Sequence, residues 1–167
     1  MGYMKEERIL DFLRDLKENL IKYEDDHGDE FGVYFDDDYV RYGSKIANLQ
    51  TMIYNCEDPA DAFDPADCTL EEFYDDPYID IYISCEGGTY EAVYGYVSRG
   101  GDERKKDLHD AFNDAAENNG LTMDFCGGAL GFTSEESFQE QNKKWEGTGY
   151  DTLFGKRFVR SDRVIKE

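Results

Sequence analysis

Between Glu24 and Glu91 the chain sets twenty acidic side chains against two basic ones, Arg41 and Lys45. That local balance of −18 in 68 residues is most of the whole-chain net charge of −21. A folded chain that concentrates so much like charge loses stability through self-repulsion. Recognition of something strongly positive is the natural return. The commonest strongly positive protein surface is one built to hold nucleic acid. The sequence therefore points to a type of partner and not to a catalytic centre.

Aromatic residues make up 15% of the chain. Tyrosine and phenylalanine supply enough buried area for a core, whereas disordered acidic tails usually lack them. The chain is expected to fold as a single acidic α+β domain over residues 1–167, with a small, mostly antiparallel sheet and three to five helices. No stretch approaches the roughly 20 apolar residues of a spanning helix. The N-terminus lacks the apolar core of a signal peptide. The expected location is the cytosol, with Cys56, Cys68, Cys85 and Cys126 as free thiols.

Glu6 to Tyr23 reads as a helix, because Ile9, Phe12, Leu13, Leu16 and Leu20 share one face. A polar breaker with Gly28 follows. Phe31 to Tyr42 reads as extended, with a turn at Asp36-Asp37-Asp38. Ser44 is placed as the cap of a second helix reaching Asn55. Asp-Pro-Ala-Asp occurs at 58–61 and again at 64–67, and Asp before Pro suits a helix start or turn. Thr69 and Glu72 form a capping-box pattern. Tyr78–Ser84 and Thr89–Ser98 are β-rich runs around Glu86-Gly87-Gly88 and read as a hairpin. A helix is expected over Glu103–Asn119, stopped by Asn119-Gly120. Short strands are expected at Leu121–Phe125 and Ala129–Phe132, and a helix at Ser134–Trp145. The segment 143–167 is mildly basic, with seven basic residues against four acidic. It can pair with the acidic region within the fold or in a homodimer.

Side chains two apart on a strand stand about 6.6 Å apart along one face. Those three or four apart on a helix lie about 5–6 Å apart. Both distances are of the order of the phosphate spacing of a nucleic-acid strand. The candidate phosphate substitutes are Asp25, Asp26, Asp29 and Glu30, then Asp36, Asp37 and Asp38. Asp58, Asp61, Asp64 and Asp67 follow, and then Glu71, Glu72, Asp75, Asp76 and Asp80. Tyr34, Tyr39, Tyr74 and Tyr78 are the candidate rigid anchors, since aromatics are frequent interface hot spots. The bland alternative is a solvated acidic surface.

No metal or cofactor is called for. Asp25-Asp26-His27-Gly28-Asp29-Glu30 carries oxygen donors but misses the calcium-loop pattern. There is no Cys-x-x-Cys pair for zinc. His109 sits in a polar helical register, and the glycine-rich run 127–131 lacks the phosphate-loop Lys-Ser/Thr. No catalytic residues are assigned.

The overall profile resembles the DNA-mimicking anti-defence proteins of phage and mobile elements, both anti-restriction proteins and anti-CRISPR inhibitors. Asp107-Leu108-His109-Asp110-Ala111, followed by Ala115-Ala116, is similar to a stretch of a mainly helical phage anti-restriction protein. The likeness is one of strategy. It implies a non-enzymatic inhibitor that occupies the nucleic-acid groove of a bacterial defence nuclease complex in the host cytosol. Such a protein would bind neither nucleic acid nor membrane directly. Two other readings stay open: an immunity protein against a basic nuclease toxin, and a small metal-dependent enzyme.

Overall fold

The computed structural model describes residues 4–28, 34–66, 78–90, 103–125 and 128–146. Helix α1 spans Glu6–His27, β1 Tyr39–Tyr42, β2 Lys45–Asn48 and α2 Leu49–Tyr54. A 3-10 helix, Pro59–Ala62, leads to the two-residue strand β3, Asp64–Pro65. Strand β4 is Ile81–Ser84, α3 Glu103–Asn118, β5 Leu121–Phe125, β6 Ala129–Ser134 and α4 Glu135–Trp145. The fold is α+β. Its six-stranded sheet runs β3-β2-β1-β4-β6-β5 with every pairing antiparallel.

The expected helical stripe is the buried face of α1: Ile9, Phe12, Leu13, Leu16 and Leu20, extended by Tyr23. Polar Glu24–His27 continue the helix to Gly28, whose φ of 63° gives the left-handed stop. Antiparallel to α1 lies α3, whose inward face is Leu108, Ala111, Phe112, Ala115 and Ala116. Three alanines on that face permit close approach. Polar braces run along the seam. Asn19 donates to the Ala111 carbonyl at 3.1 Å, and Asn119 donates to Asp15 at 2.7 Å.

The helix pair covers one face of the sheet. Val40 pairs with Ile83, Ile83 with Leu130 and Ile81 with Phe132, so these side chains share that face. Phe12 meets Phe132 at 4.8 Å between ring centres, and Phe35 meets Phe112 at 6.4 Å. Tyr82 is buried on the opposite face, and β6 is buried along its whole length. The centre of the sheet is thus shielded on both sides.

Two expectations fail here. Ser44 does not cap a helix to Asn55. Tyr42 and Lys45 pair across the two-residue turn Gly43-Ser44, Gly43 has φ 55°, and β2 occupies 45–48. A glycine at positive φ followed by serine is a hairpin signal, and it prevails over the apolar spacing. The cap is Asn48, whose side chain accepts the Thr51 N–H at 3.1 Å. The hairpin of 78–84 with 89–98 fails as well, because both edges of β4 are taken by β1 and β6. Residues 88–90 turn helically instead. The expected strand beyond Tyr90, the Thr69 helix and the rest of the basic C-terminal segment past Glu146 lie outside the described residues.

The remaining elements fall where the patterns put them. Asp58 caps the 3-10 helix with Pro59 at its first position. Gly120, at φ 70°, ends α3. Leu121–Phe125 and Ala129–Ser134 pair, and Ser134 caps α4 through the Ser137 N–H.

Candidate partner-binding surface

Two of the sequence-predicted acids are not on the surface, which corrects their assignment as partner contacts. Asp38 is 0% exposed and Asp80 2%. A carboxylate this deep survives only with hydrogen-bond donors around it. Asp38 Oδ1 accepts the N–H groups of Glu86 and Gly87 at 3.0 and 2.8 Å, and Oδ2 accepts that of Thr89 at 2.9 Å. Burial raises its pKa, with the three backbone N–H groups opposing. Gly87 permits this approach: a Cβ there would stand 3.1 Å from the Tyr34 carbonyl oxygen. Asp80 Oδ1 accepts the Met4 N–H at 2.9 Å and the Ser137 hydroxyl at 2.8 Å, while Oδ2 accepts the Ser134 N–H at 2.6 Å. It joins the start of α1, the start of β4 and the β6–α4 corner.

Six further acids and two tyrosines point outward. Asp26 and Asp25 are exposed in the last turn of α1, Asp36 and Asp37 at the turn before β1, and Asp61 on the 3-10 helix. Asp64 is exposed on β3, at the sheet edge. Tyr34 and Tyr39 are 64% and 45% exposed. Tyr78 is half-buried, with Lys144 Nζ 5.7 Å from its ring centre. Asp58 is engaged by Arg14 at 3.0 Å, and that hydrogen bond holds its carboxyl below the usual range. Asp29, Glu30, Asp67, Glu71, Glu72, Tyr74, Asp75 and Asp76 lie outside the described residues.

The cations are distributed differently. Arg8 pairs with Glu136, Arg14 with Asp11 and Asp58, Lys45 with Glu6, Lys106 with Asp110 and Lys143 with Glu140. The Lys45 hydrogen bond lowers the Glu6 pKa, and that of Glu6 raises the Lys45 pKa. Each of these five bases is matched to a carboxylate, and Lys17 donates to the Cys56 and Glu57 carbonyls. Among the described residues, Lys5 and Lys22 stay exposed without a salt bridge, while Asp25, Asp26, Asp36, Asp37, Asp61 and Asp64 have no paired cation.

Asp107, Asp110 and Asp114, to which sequence reasoning assigned no partner contact, come together with the predicted Asp26. An open groove of about 340 Å³ lies between α1 and α3, with Asp26 on one wall and Asp107, Asp110 and Asp114 on the other. His27 Nε2 bridges the walls to Asp107 Oδ2 at 3.1 Å. The signal was present as acids at i, i+3 and i+7 bordering the apolar face of α3. Its pairing with Asp26 depends on the α1–α3 packing, which no local pattern encodes. Among the described residues, no set of three His, Cys, Asp or Glu side chains is placed to hold a metal ion. Among them also, no helix is long and apolar enough to cross a membrane.

No protein-family model matches the chain, and no curated protein or solved structure is significantly similar to it. The functional reading therefore rests on charge, exposure and geometry.

Proposed function

We propose that this chain is a non-enzymatic inhibitor. In this reading its exposed carboxylates take the phosphate positions in the nucleic-acid groove of a basic protein, and the target is a bacterial defence nuclease complex in the cytosol. The observation that carries the reading is the division of charge just described. The paired bases are neutralised within the surface, while the outward acids on α1, the pre-β1 turn, the 3-10 helix and β3 stay uncompensated. Such a surface attracts a basic groove from a distance, with association that is fast and salt-sensitive.

The test is affinity capture from lysates of candidate host bacteria at low salt, with stepped salt elution and mass spectrometry. Support is the recovery of a nucleic-acid-binding complex that added duplex DNA displaces. Partners that DNA cannot displace would argue instead for a solvated acidic surface or for toxin neutralisation at another site.

A further inference from the structure

Among the described residues, the two tyrosines Tyr34 and Tyr39 are left 64% and 45% exposed within one short acidic segment whose backbone is held by hydrogen bonds. In the segment Tyr34–Tyr39, Phe35 and Asp38 turn inward, while Tyr34, Asp36, Asp37 and Tyr39 turn outward. Nearly every residue of the segment is tied down. The Tyr34 carbonyl accepts the Gly88 N–H at 2.6 Å, and the Phe35 N–H donates to Gln50 Oε1 at 3.0 Å. The Asp36 carbonyl accepts from Asn48 Nδ2 at 2.8 Å, and the Tyr39 N–H donates to Ser84 Oγ at 2.8 Å. The Asp38 carboxylate then clasps residues 86–89, which brings exposed Glu86 and Tyr90 to the same end of the sheet. Neither 34–40 nor 84–90 contains a basic residue.

Solvated acids do not need tyrosines beside them. A guanidinium uses both: its edge forks onto a carboxylate, and its face stacks on an aromatic ring. An ammonium is a compact, strongly hydrated charge and gains less from the ring. Fixed side chains also lose little freedom on binding.

We infer that the sheet end formed by 34–39 and 86–90 is the contact that grips arginine side chains of the basic partner. This rests on the inhibitor reading above and narrows it to one part of the acidic surface.

The test uses the full chain, nona-arginine and nona-lysine peptides as probes, and backbone amide NMR at about 0.15 M salt, where diffuse attraction is screened. The expected result is shifts concentrated at 34–39 and 86–90, with the arginine peptide binding about fivefold tighter. Replacing Tyr34 and Tyr39 together by Ala changes no charge and should bring the two peptides to equal affinity. Replacing Asp36 and Asp37 by Asn should weaken both peptides. Shifts centred on Asp25, Asp61 or Asp64, or an arginine preference that survives the tyrosine replacements, would overturn this contact while leaving the inhibitor reading standing. Failure of DNA to displace the captured partner is the separate result that removes the reading itself.

Discussion

The Asp38 carboxylate accepts the Gly87 backbone N–H at 2.8 Å across 49 residues of chain. The bond ties the turn before β1 to the loop after β4, where both edges of β4 are already occupied. An acid from the most acidic part of the sequence thus acts as an internal cap, and the acids beside it, Asp36 and Asp37, are left to solvent.

Replacing Asp38 by Ala leaves the buried Thr89 N–H and the part-buried Glu86 and Gly87 N–H groups without this acceptor, and the expected cost is about 3 kcal/mol. Urea denaturation checks it. The pH dependence has a defined sign. Burial raises the Asp38 pKa, so the folded chain holds this proton to higher pH than the unfolded chain. The associated stability is complete below the unfolded value of about 4 and is lost as pH rises through the folded value. Asp38→Asn has nothing to titrate there. The stability difference between wild type and Asp38→Asn should therefore be larger near pH 4 than near pH 7. A difference that grows with pH would show a lowered pKa instead.

Asp80 is expected to behave as a structural node. Asp80→Ala strands the Met4 and Ser134 N–H groups and the Ser137 hydroxyl, and should cost about 3 kcal/mol. Ser137→Ala removes a single bond to it and should cost about 1 kcal/mol. Thermal unfolding of the two variants gives the order. If Asp80→Ala were neutral, this carboxylate would have to be restored to the partner-facing set.

Asn48, and not Ser44, should control α2. Asn48→Ala loses the cap to Thr51 and the bond to the Asp36 carbonyl, and should cost about 1–2 kcal/mol. Ser44→Ala should stay within about 0.5 kcal/mol, as for an exposed turn position. The reverse order would favour a helix starting at Ser44.

Charge at the surface should act mainly on association. Replacing Asp36, Asp37, Asp61 and Asp64 by Asn should slow binding to the captured partner and flatten its salt dependence, with dissociation changed less. Stopped-flow or surface-based kinetics at two salt concentrations separate the two. An unchanged on-rate would place the interface elsewhere.

The elements that could be read from the sequence are those decided by local chemistry. The apolar face of α1, the Asp58-Pro59 start and the Ser134 cap each depend on residues within a few positions of one another. The β1–β2 hairpin was equally local, but Ile46, Leu49, Met52 and Ile53 also fit a helical stripe and obscured the Gly43-Ser44 turn. The inward turn of Asp38 and Asp80 was not readable. A carboxylate that faces solvent and one that caps a distant loop have the same neighbours in sequence, and only the converging N–H groups distinguish them. The same holds for the α1–α3 groove, where tertiary packing sets Asp26 and Asp107 on facing walls and brings His27 to Asp107.

Competition at the partner's groove tests charge mimicry most directly. The captured basic protein is loaded with a labelled DNA or RNA duplex and titrated with this chain, and release is followed by fluorescence anisotropy. Mimicry requires stoichiometric release of the nucleic acid, weakened by added salt and by the Asp→Asn replacements. A ternary complex, in which the chain binds while the nucleic acid stays in place, would contradict it.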